Sequence, residues 1–461
     1  MTHAKPTIVI MECYSTAVNY IRDIRERGYE PALLERRVPP ARREKERAAN
    51  DRAYAFVGDP LPVILTEKER YEDTLQMIGR LSPVLIIPGS DPGIYLSMRL
   101  SEDLGLKSNP VSIFRRIRDK YEMQKALELA GLRFIRSRLV HSEDEAAAFF
   151  RGELDKRAVV KRTQGGASVD VFVCRSEASV REAYRAAAAG VRERERPGES
   201  VVIQEYIEGK EYSLDTVSCE GRHAAVYGME YLQRSFTDKG KLYNTDLYFS
   251  PDDAFADEIV SYCFRVLDCL GIQYGPVHSE FIVDEKGPVL VEVNARPAGS
   301  FQKSSFQDRF LVKHQTAIAL DSYFLDRESF FAGYPVRMHL RQPAAVKEIR
   351  LDRPIYVTRV KLTERLSVLE SFAYAIDNGE NCIYPKTTDL NTAGGIIYLT
   401  ATDEAVIKRD LDIINELEKH GLHELYEFEE TSSGETDSAE ADGGQENEGE
   451  ADDGQRIQNR N

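Results

Sequence analysis

The sequence predicts a multidomain protein of mixed α/β and α+β class, and three observations carry that expectation. Apolar strand-like runs alternate with helical periods up to about residue 110, the pattern of a small doubly wound α/β unit. Later segments alternate between capped helices and hairpin-like strand pairs, which reads as α+β. The length, 461 residues, supplies about three domains and ample material for buried cores.

The elements follow in order. Thr7 to Met11 reads as a buried strand, followed by a helix from Ala17 to Arg27 that Gly28 stops. Val84 to Ile87 repeats the pattern, with the loop Pro88 to Gly93 and a helix through about Leu104. That loop leaves the C-terminal end of a strand, where such sheets bind ligands, although an ordinary connection explains it equally well. Asn109-Pro110 marks a break, and Ser112 to Ala130 has one continuous helical period ending at Gly131. Ser142 to Glu145 and Ser179 to Glu182 both fit capping boxes, with strands expected at Ala158 to Lys161, Val169 to Cys174 and Val201 to Ile207. Glu211 to Leu232 fits two strands joined near Gly221, Asp253 to Leu270 a helix, and Gln273 to Val293 a hairpin. A strand at Val336 to Arg341 would place Arg337, His339 and Arg341 on one face, able to hold an acid or simply solvated. The last helix is expected from Asp403 to Lys419.

Composition narrows the function. Hydrophobic residues make up 42% and charged residues 30%, and no run approaches the ~20 uncharged apolar residues of a membrane span. Six scattered cysteines without a C-x-x-C pair suggest neither a thiolate metal site nor a disulfide framework. No export signal is visible, so a cytoplasmic location is expected. Glu429 to Asp453 carries eleven acidic residues and no Lys or Arg, and taking those eleven out of the net charge of −16 leaves −5. A body so mildly acidic offers no field for phosphate backbones, which argues against nucleic-acid binding. The tail itself is too polar to bury a core and reads as a disordered extension.

The segment Val277 to Asn294 is the most informative. A hairpin with its loop at Asp284 to Pro288 centres on residue 286 and sets Glu280 opposite Glu292. One face then carries Phe281, Val283, Val289, Val291 and Val293, and the other His278, Glu280, Glu292 and Asn294. Opposed carboxylates with Cβ atoms about 5 Å apart repel unless a cation lies between them. Two carboxylates with an amide oxygen suit Mg²⁺ or Mn²⁺ and are poor for zinc. The alternative is a solvent-facing hairpin whose carboxylates point apart. Arg296, two positions beyond Asn294, is placed to steady charge on a transferring phosphoryl group, or forms a surface ion pair.

Further upstream, Arg157 to Lys161 is a strand ending in a cation, followed by the small-residue loop Arg162 to Ser168 with Gly165 and Gly166. Such a loop lets backbone N–H groups approach phosphate oxygens, although a Gly-Gly turn is also an ordinary hairpin feature. Val201 to Glu211 reads as a strand running into a linker with two carboxylates six residues apart, Glu205 and Glu211.

Taken in order, Asp119-Lys120, Lys161 with Gly165-Gly166, Glu205 to Glu211, Glu280 and Glu292-Val-Asn-Ala-Arg296 resemble the ATP-grasp superfamily over about Thr7 to Ser300. The resemblance implies an ATP-grasp fold with five parts: an N-terminal α/β domain at 1–110, a lid at 111–205, a metal-binding subdomain at 206–335, a C-terminal α+β domain at 336–428 and the tail at 429–461. It further implies that Lys120 and Lys161 contact ATP phosphates and that the loop of Gly165, Gly166 and Ser168 closes over them. Glu205, Tyr206 and Ile207 would form the adenine linker and Glu211 would take the ribose. Glu280, Glu292 and Asn294 would bind two Mg²⁺ ions, with Mn²⁺ a possible substitute, and Arg296 would stabilise an acyl phosphate. Lys239 or Lys241 could reach the γ-phosphate.

The activity implied is an ATP-dependent ligase joining a small carboxylic acid to an amine or amino acid, releasing ADP and phosphate, often as a homodimer. The stretch from Lys107 to Lys120 and the Asn-Ala-Arg-Pro ending are similar to the L-amino acid ligases. Many of those have Asn-Pro-Arg followed by glycines, whereas Asn294-Ala-Arg-Pro-Ala-Gly299 departs from that, which bears on the acceptor pocket. The other readings are a purine-biosynthetic ligase, a biotin-dependent carboxylase and a non-catalytic ATP-binding regulator. No Met-Lys-Met biotin acceptor occurs, and the full carboxylate, amide and arginine set argues for turnover over mere binding.

Overall fold

The computed structural model describes residues 5–39, 54, 58, 60–154, 156–165, 170–194, 199–232, 235–237, 240–242, 244–388 and 392–430. The tail beyond residue 430, Gly166, Ser168 and Lys239 lie outside these residues, as does the side chain of Lys241.

The N-terminal unit is a parallel sheet of β1 (Thr7–Met11), β2 (Glu30–Glu35), β3 (Val63–Thr66) and β4 (Leu85–Pro88) in the order β3-β2-β1-β4. Alternate residues of β1 are buried in different clusters, Ile8 and Ile10 in one and Val9 and Met11 in the other, as a strand covered on both faces requires. The loops after β1 and β4 meet so closely that a Cβ on Gly89 or Gly93 would lie 2.6 Å from the carbonyl oxygen of Glu12 or Met11. Glycine is needed at both positions because backbone occupies the space a side chain would fill.

The lid is an antiparallel sheet of β5 (Ser137–Val140), β6 (Ala158–Arg162), β7 (Val171–Cys174) and β8 (Val201–Glu205) in the order β5-β8-β6-β7. Two helices, Glu143–Glu153 and Glu177–Arg194, cover one face and share a core containing Phe149, Val160, Val180 and Ile203. Ser142 caps the first helix by accepting from Glu145 N at 3.1 Å, as expected. The expected box at Ser179 is displaced: Ser176 and Ser179 bond reciprocally, and Ser179 lies inside the helix.

Eight strands then form one large sheet. They are β9 (Lys210–Cys219), β10 (Arg222–Leu232), β13 (Thr245–Tyr248), β14 (Gly275–Asp284), β15 (Gly287–Asn294), β16 (Ala344–Ile349), β18 (Phe372–Asp377) and β20 (Gly395–Thr400), ordered β15-β14-β9-β10-β13-β16-β20-β18. The short pair β11 (Ser235–Thr237) and β12 (Gly240–Leu242) stands beside it. Because β13 pairs with β16, the strands after residue 336 extend the same sheet, and a boundary at 335/336 does not separate two sheets. Only β17 (Ile355–Val360), β19 (Cys382–Tyr384) and β21 (Tyr426–Glu430) form a smaller sheet. It shares its core with the helix Glu404–His420, which Asp403 caps. One face of the large sheet buries Leu214, Val277 and Phe281 under the helix Ala256–Leu270, leaving the other face for the N-terminal unit and the site.

Val336 to Arg341 is not a strand, correcting the sequence expectation. Only an isolated bridge joins Leu340 to Leu311, and Arg337 pairs with Asp257 at 3.0 Å on the surface. Arg337, His339 and Arg341 are all exposed to solvent.

The N-terminal unit is fastened through buried polar groups. Thr16 donates to Gly299 O at 2.8 Å, Asn19 donates to Gln302 O at 2.7 Å, and Ser15 Oγ accepts from Phe301 N at 3.0 Å. Ser300 and Phe301 hold φ of +68° and +49°, conformations that side chains other than glycine adopt only when the surroundings impose them. His314 lies between Asp23 at 2.8 Å and Asp308 at 2.9 Å.

Burial works to lower the His314 pKa, but the two carboxylates outweigh it and raise it to about 9. Its contribution is therefore fully present below the unfolded value near 6.5 and is lost as pH rises through about 9, on the order of 3 kcal/mol in all. Thermal denaturation of the wild type and His314→Gln should differ most at pH 6 and far less at pH 9.5. An equal difference at both would contradict this assignment.

Candidate active site

The hairpin β14–β15 positions the central carboxylates. Glu280 pairs with Glu292 and His278 with Asn294, as the sequence pattern requires. The strands close more tightly than expected, with Asp284 opposite Gly287, and a bulge at Val291 absorbs the extra residue. Past the bulge the alternation shifts, so Val289 and Val291 leave the face of Phe281 and pack instead with Ile282, Ile135 and Ile207. Arg133 fixes the turn with a two-armed ion pair to Asp284, at 2.7 and 2.6 Å.

Glu292 receives Lys120 Nζ at 2.6 Å and the Asn294 amide at 2.9 Å. Burial alone would raise its pKa, but Lys120, Asn294 and the charge of Lys161 outweigh burial and hold the carboxyl far below the usual range. Lys120 also donates to Gly165 O at 3.1 Å, tying the hairpin to the loop after β6. Glu280 lies 3.5 Å from His278 Nε2, and the other ring nitrogen of His278 contacts Asp215 at 3.1 Å. Burial opposes the charge on His278, yet Asp215 and Glu280 raise its pKa to about 10, so the imidazole is cationic at neutral pH.

The expected helix from Ser112 to Ala130 is interrupted at Asp119, which is extended at φ −91° and ψ 117° and caps the helix Lys120–Leu129 by accepting from Tyr121 N and Glu122 N. The break aims both flanking cations at the site. Lys120 meets Glu292, and Arg118 donates to Asn294 Oδ1 at 3.3 Å and lies 3.8 Å from Asp91. Arg296 grips Asp91 with Nε and Nη2, both at 3.2 Å, and donates from Nη1 to Pro297 O. Burial raises the Asp91 carboxyl, but Arg296 and Arg118 outweigh it and lower it. Among the described residues, two of the five guanidinium N–H groups of Arg296 have no partner.

Lys161 is buried at the end of β6, and Glu205 ends β8, its carboxylate accepting from Arg136 N at 2.8 Å. Arg157 stands 4.4 Å over the Tyr206 ring. Ile207 completes an apolar patch with Ile135, Ile282, Val289 and Val291. Glu211 is buried on β9, opposite Ile282, two residues from the position paired with Glu280.

Sequence reasoning missed Arg118, Asp215 and the ion pairs of Arg162 with Glu199 and Asp170, at 2.7 and 2.9 Å beside the small-residue loop. Unbroken helical periodicity hid Arg118, while Asp91 sat in the loop noted as a ligand-contact position. The candidate metal donors are two carboxylate oxygens and an amide oxygen, a hard set that fits Mg²⁺. Among the described residues no cluster of three or more His, Cys, Asp or Glu side chains could hold a metal ion. No described helix is long and apolar enough to cross a membrane.

A four-stranded antiparallel sheet carrying Lys161 and a large sheet carrying the opposed carboxylates Glu280 and Glu292, with Lys120 bound to Glu292, is the arrangement expected of an ATP-grasp domain. Residues 154–304 match the profile of the ATP-grasp domain. It is 26% identical over 361 residues to dapdiamide A synthase of Enterobacter agglomerans, covering 75% of this chain and 82% of that one. A D-alanine–D-alanine ligase of Bacillus licheniformis is 25% identical over 247 residues, 50% of this chain and 64% of its own. Among solved structures, an L-amino acid ligase from Bacillus licheniformis superposes with a TM-score of 0.71 at 15% identity, covering 94% of this chain and all of the other. An N5-carboxyaminoimidazole synthase from Aspergillus clavatus follows at 0.65 and 12%, covering 90% of this chain and all of the other.

Asp91 acts by holding Arg296. Asp91→Asn keeps the shape and removes the charge, and should lower the rate of ADP formation about tenfold or more with little change in the KM for ATP. An unchanged rate would show that Arg296 does not depend on it.

Proposed function

We propose that this ATP-grasp ligase joins the carboxylate of one small molecule to the amine of another, with an amino acid as one of the two, releasing ADP and phosphate. The observation that carries the proposal is the opposed pair Glu280 and Glu292, with Asn294, Lys120 and Arg296 gathered around it. The similarity to D-alanine–D-alanine ligase and to dapdiamide A synthase supports the substrate class. The purine-biosynthetic and biotin-carboxylase structures match at 12–16% identity, and a likeness of that depth carries fold alone.

In the proposed mechanism adenine lies on the patch of Ile207, Ile282, Val289 and Val291, and its edge is read at Glu205 and the backbone of Tyr206 and Ile207. Glu211 takes the ribose hydroxyls. Lys120, Lys161 and the loop of Gly165, Gly166 and Ser168 hold the phosphates, which requires Lys120 to turn from Glu292 towards them. Glu280, Glu292 and Asn294 would hold Mg²⁺, as two ions and replaceable by Mn²⁺, and the bound metal would supply neutralisation of phosphate charge. The substrate carboxylate attacks the γ-phosphorus in line and ADP leaves. The amine nitrogen then attacks the acyl carbon, phosphate leaves and the nitrogen loses a proton. Arg296, steadied by Asp91, donates its remaining N–H groups to the acyl phosphate, and the lid keeps water from it. A cytoplasmic homodimer is part of the same proposal.

Purified protein with ATP and Mg²⁺, screened against pools of amino acids and small carboxylates, should release ADP only when an acid and an amine are both present. Mass spectrometry should find a product lighter than their sum by one water. Glu292→Gln should reduce turnover by at least a hundredfold in a folded protein. Full turnover in that variant would sink the metal assignment.

A further inference from the structure

The active-site face of the large sheet carries a second acidic group that the ligase chemistry leaves unused. Asp246 on β13 pairs with Tyr231 of β10 on one side and Val346 of β16 on the other, and Tyr231 pairs with Glu211 of β9. Paired residues share a face, so Asp246 projects from the face of Glu211 and Glu280. Glu348, two residues beyond Val346, projects from that face as well, and such diagonal neighbours are about 7–8 Å apart.

Both side chains are more than nine-tenths buried, at 6% and 3% exposure, and among the described residues Asp246 Oδ1 and Glu348 Oε2 have no hydrogen-bond partner. Neither carboxylate makes an ion pair among the described residues. Lys347 beside them is committed to Asn244, to Glu418 and to the carbonyl of Glu348. Over the same face, Gln302 accepts from the Tyr248 hydroxyl and leaves its own Nε2 without a partner at 1% exposure. Tyr248 stands two residues from Asp246 on β13.

A buried carboxylate without a partner is costly, and two side by side cannot both stay ionised. Burial and then Glu348 push Asp246 well above the carboxylate range, and burial pushes Glu348 to about 7. The arrangement is satisfied when a cation with several N–H donors enters between them. Asp246 is three strands from Glu280, roughly 14 Å across the sheet at about 4.8 Å per strand, too far to contact the reacting atoms.

We propose that Asp246 and Glu348 bind the non-reacting cationic group of a substrate, and that the ligase selects a basic amino acid whose side-chain ammonium or guanidinium reaches this pair. The proposal rests on the ligase reading and names its substrate class.

The test compares each basic amino acid with its neutral counterpart, lysine with norleucine and arginine with citrulline, by ADP release and product mass. The wild type should favour the basic member at least tenfold in kcat/KM, and Glu348→Gln and Asp246→Asn should each reduce that ratio about tenfold. A folding defect would lower both substrates together and leave the ratio intact. No preference in the wild type, or an unchanged ratio in both variants, overturns the proposal while ligation of neutral substrates upholds the ligase reading. Calorimetric binding of lysine and norleucine to the wild type and Glu348→Gln separates the two claims further. Selective lysine binding lost in Glu348→Gln, with no ADP released from any pool, would keep the cation site and reject the ligase. Absence of selective binding would identify the pair as a water-filled pocket and reject the site.

Discussion

Two glutamates facing each other across a hairpin set the terms for the rest of this molecule. Glu280 and Glu292 cannot stay ionised together in a buried setting without positive charge around them. The fold brings that charge from four directions. Lys120 arrives from a helix that starts at its own residue, Lys161 from the lid, His278 from the neighbouring pair on the hairpin, and Arg118 from the last turn before the helix break. Asp91, Arg118, Asn294, Glu292 and Lys120 are linked one to the next in a continuous polar chain. Removing any one member leaves another buried charge uncompensated, which explains why one chain segment after another is bent towards this point.

That requirement also accounts for the placement of the N-terminal unit. Its β4 loop delivers Asp91 to Arg296, and its β1 loop clasps residues 299–304 through Ser15, Thr16 and Asn19. The β1 and β4 loops pack against each other so closely that Gly89 and Gly93 have no room for side chains, and the clasped Ser300 and Phe301 are in left-handed conformations. A segment fixed so firmly immediately after Arg296 keeps the guanidinium at one position, as the role proposed for it at an acyl phosphate requires.

The sequence made some of this legible and hid the rest for physical reasons. The hairpin register could be read because charged and apolar residues alternate with period two, and the opposed glutamates followed from it. The faces of Val289 and Val291 could not, since a bulge shifts the alternation without altering composition. The break at Asp119 was hidden because its flanks keep helical spacing and only the capping bonds reveal it. The parallel N-terminal sheet was visible in its buried strands, whereas the extension of the large sheet past residue 336 depends on the pairing of β13 with β16, a contact between segments a hundred residues apart. Val336 to Arg341 alternates like a strand because Met338 is buried between the exposed Arg337 and His339, yet it pairs with no strand beyond one isolated bridge.

The central claim is that the buried carboxylates and cations support transfer of a phosphoryl group to a carboxylate, and the passage of oxygen tests it most directly. With an acid substrate labelled with ¹⁸O in its carboxylate, the account predicts that one labelled oxygen appears in the phosphate released with each ADP. Unlabelled phosphate alongside amide product, or formation of AMP and pyrophosphate, would contradict the acyl-phosphate route and with it the role assigned to Arg296.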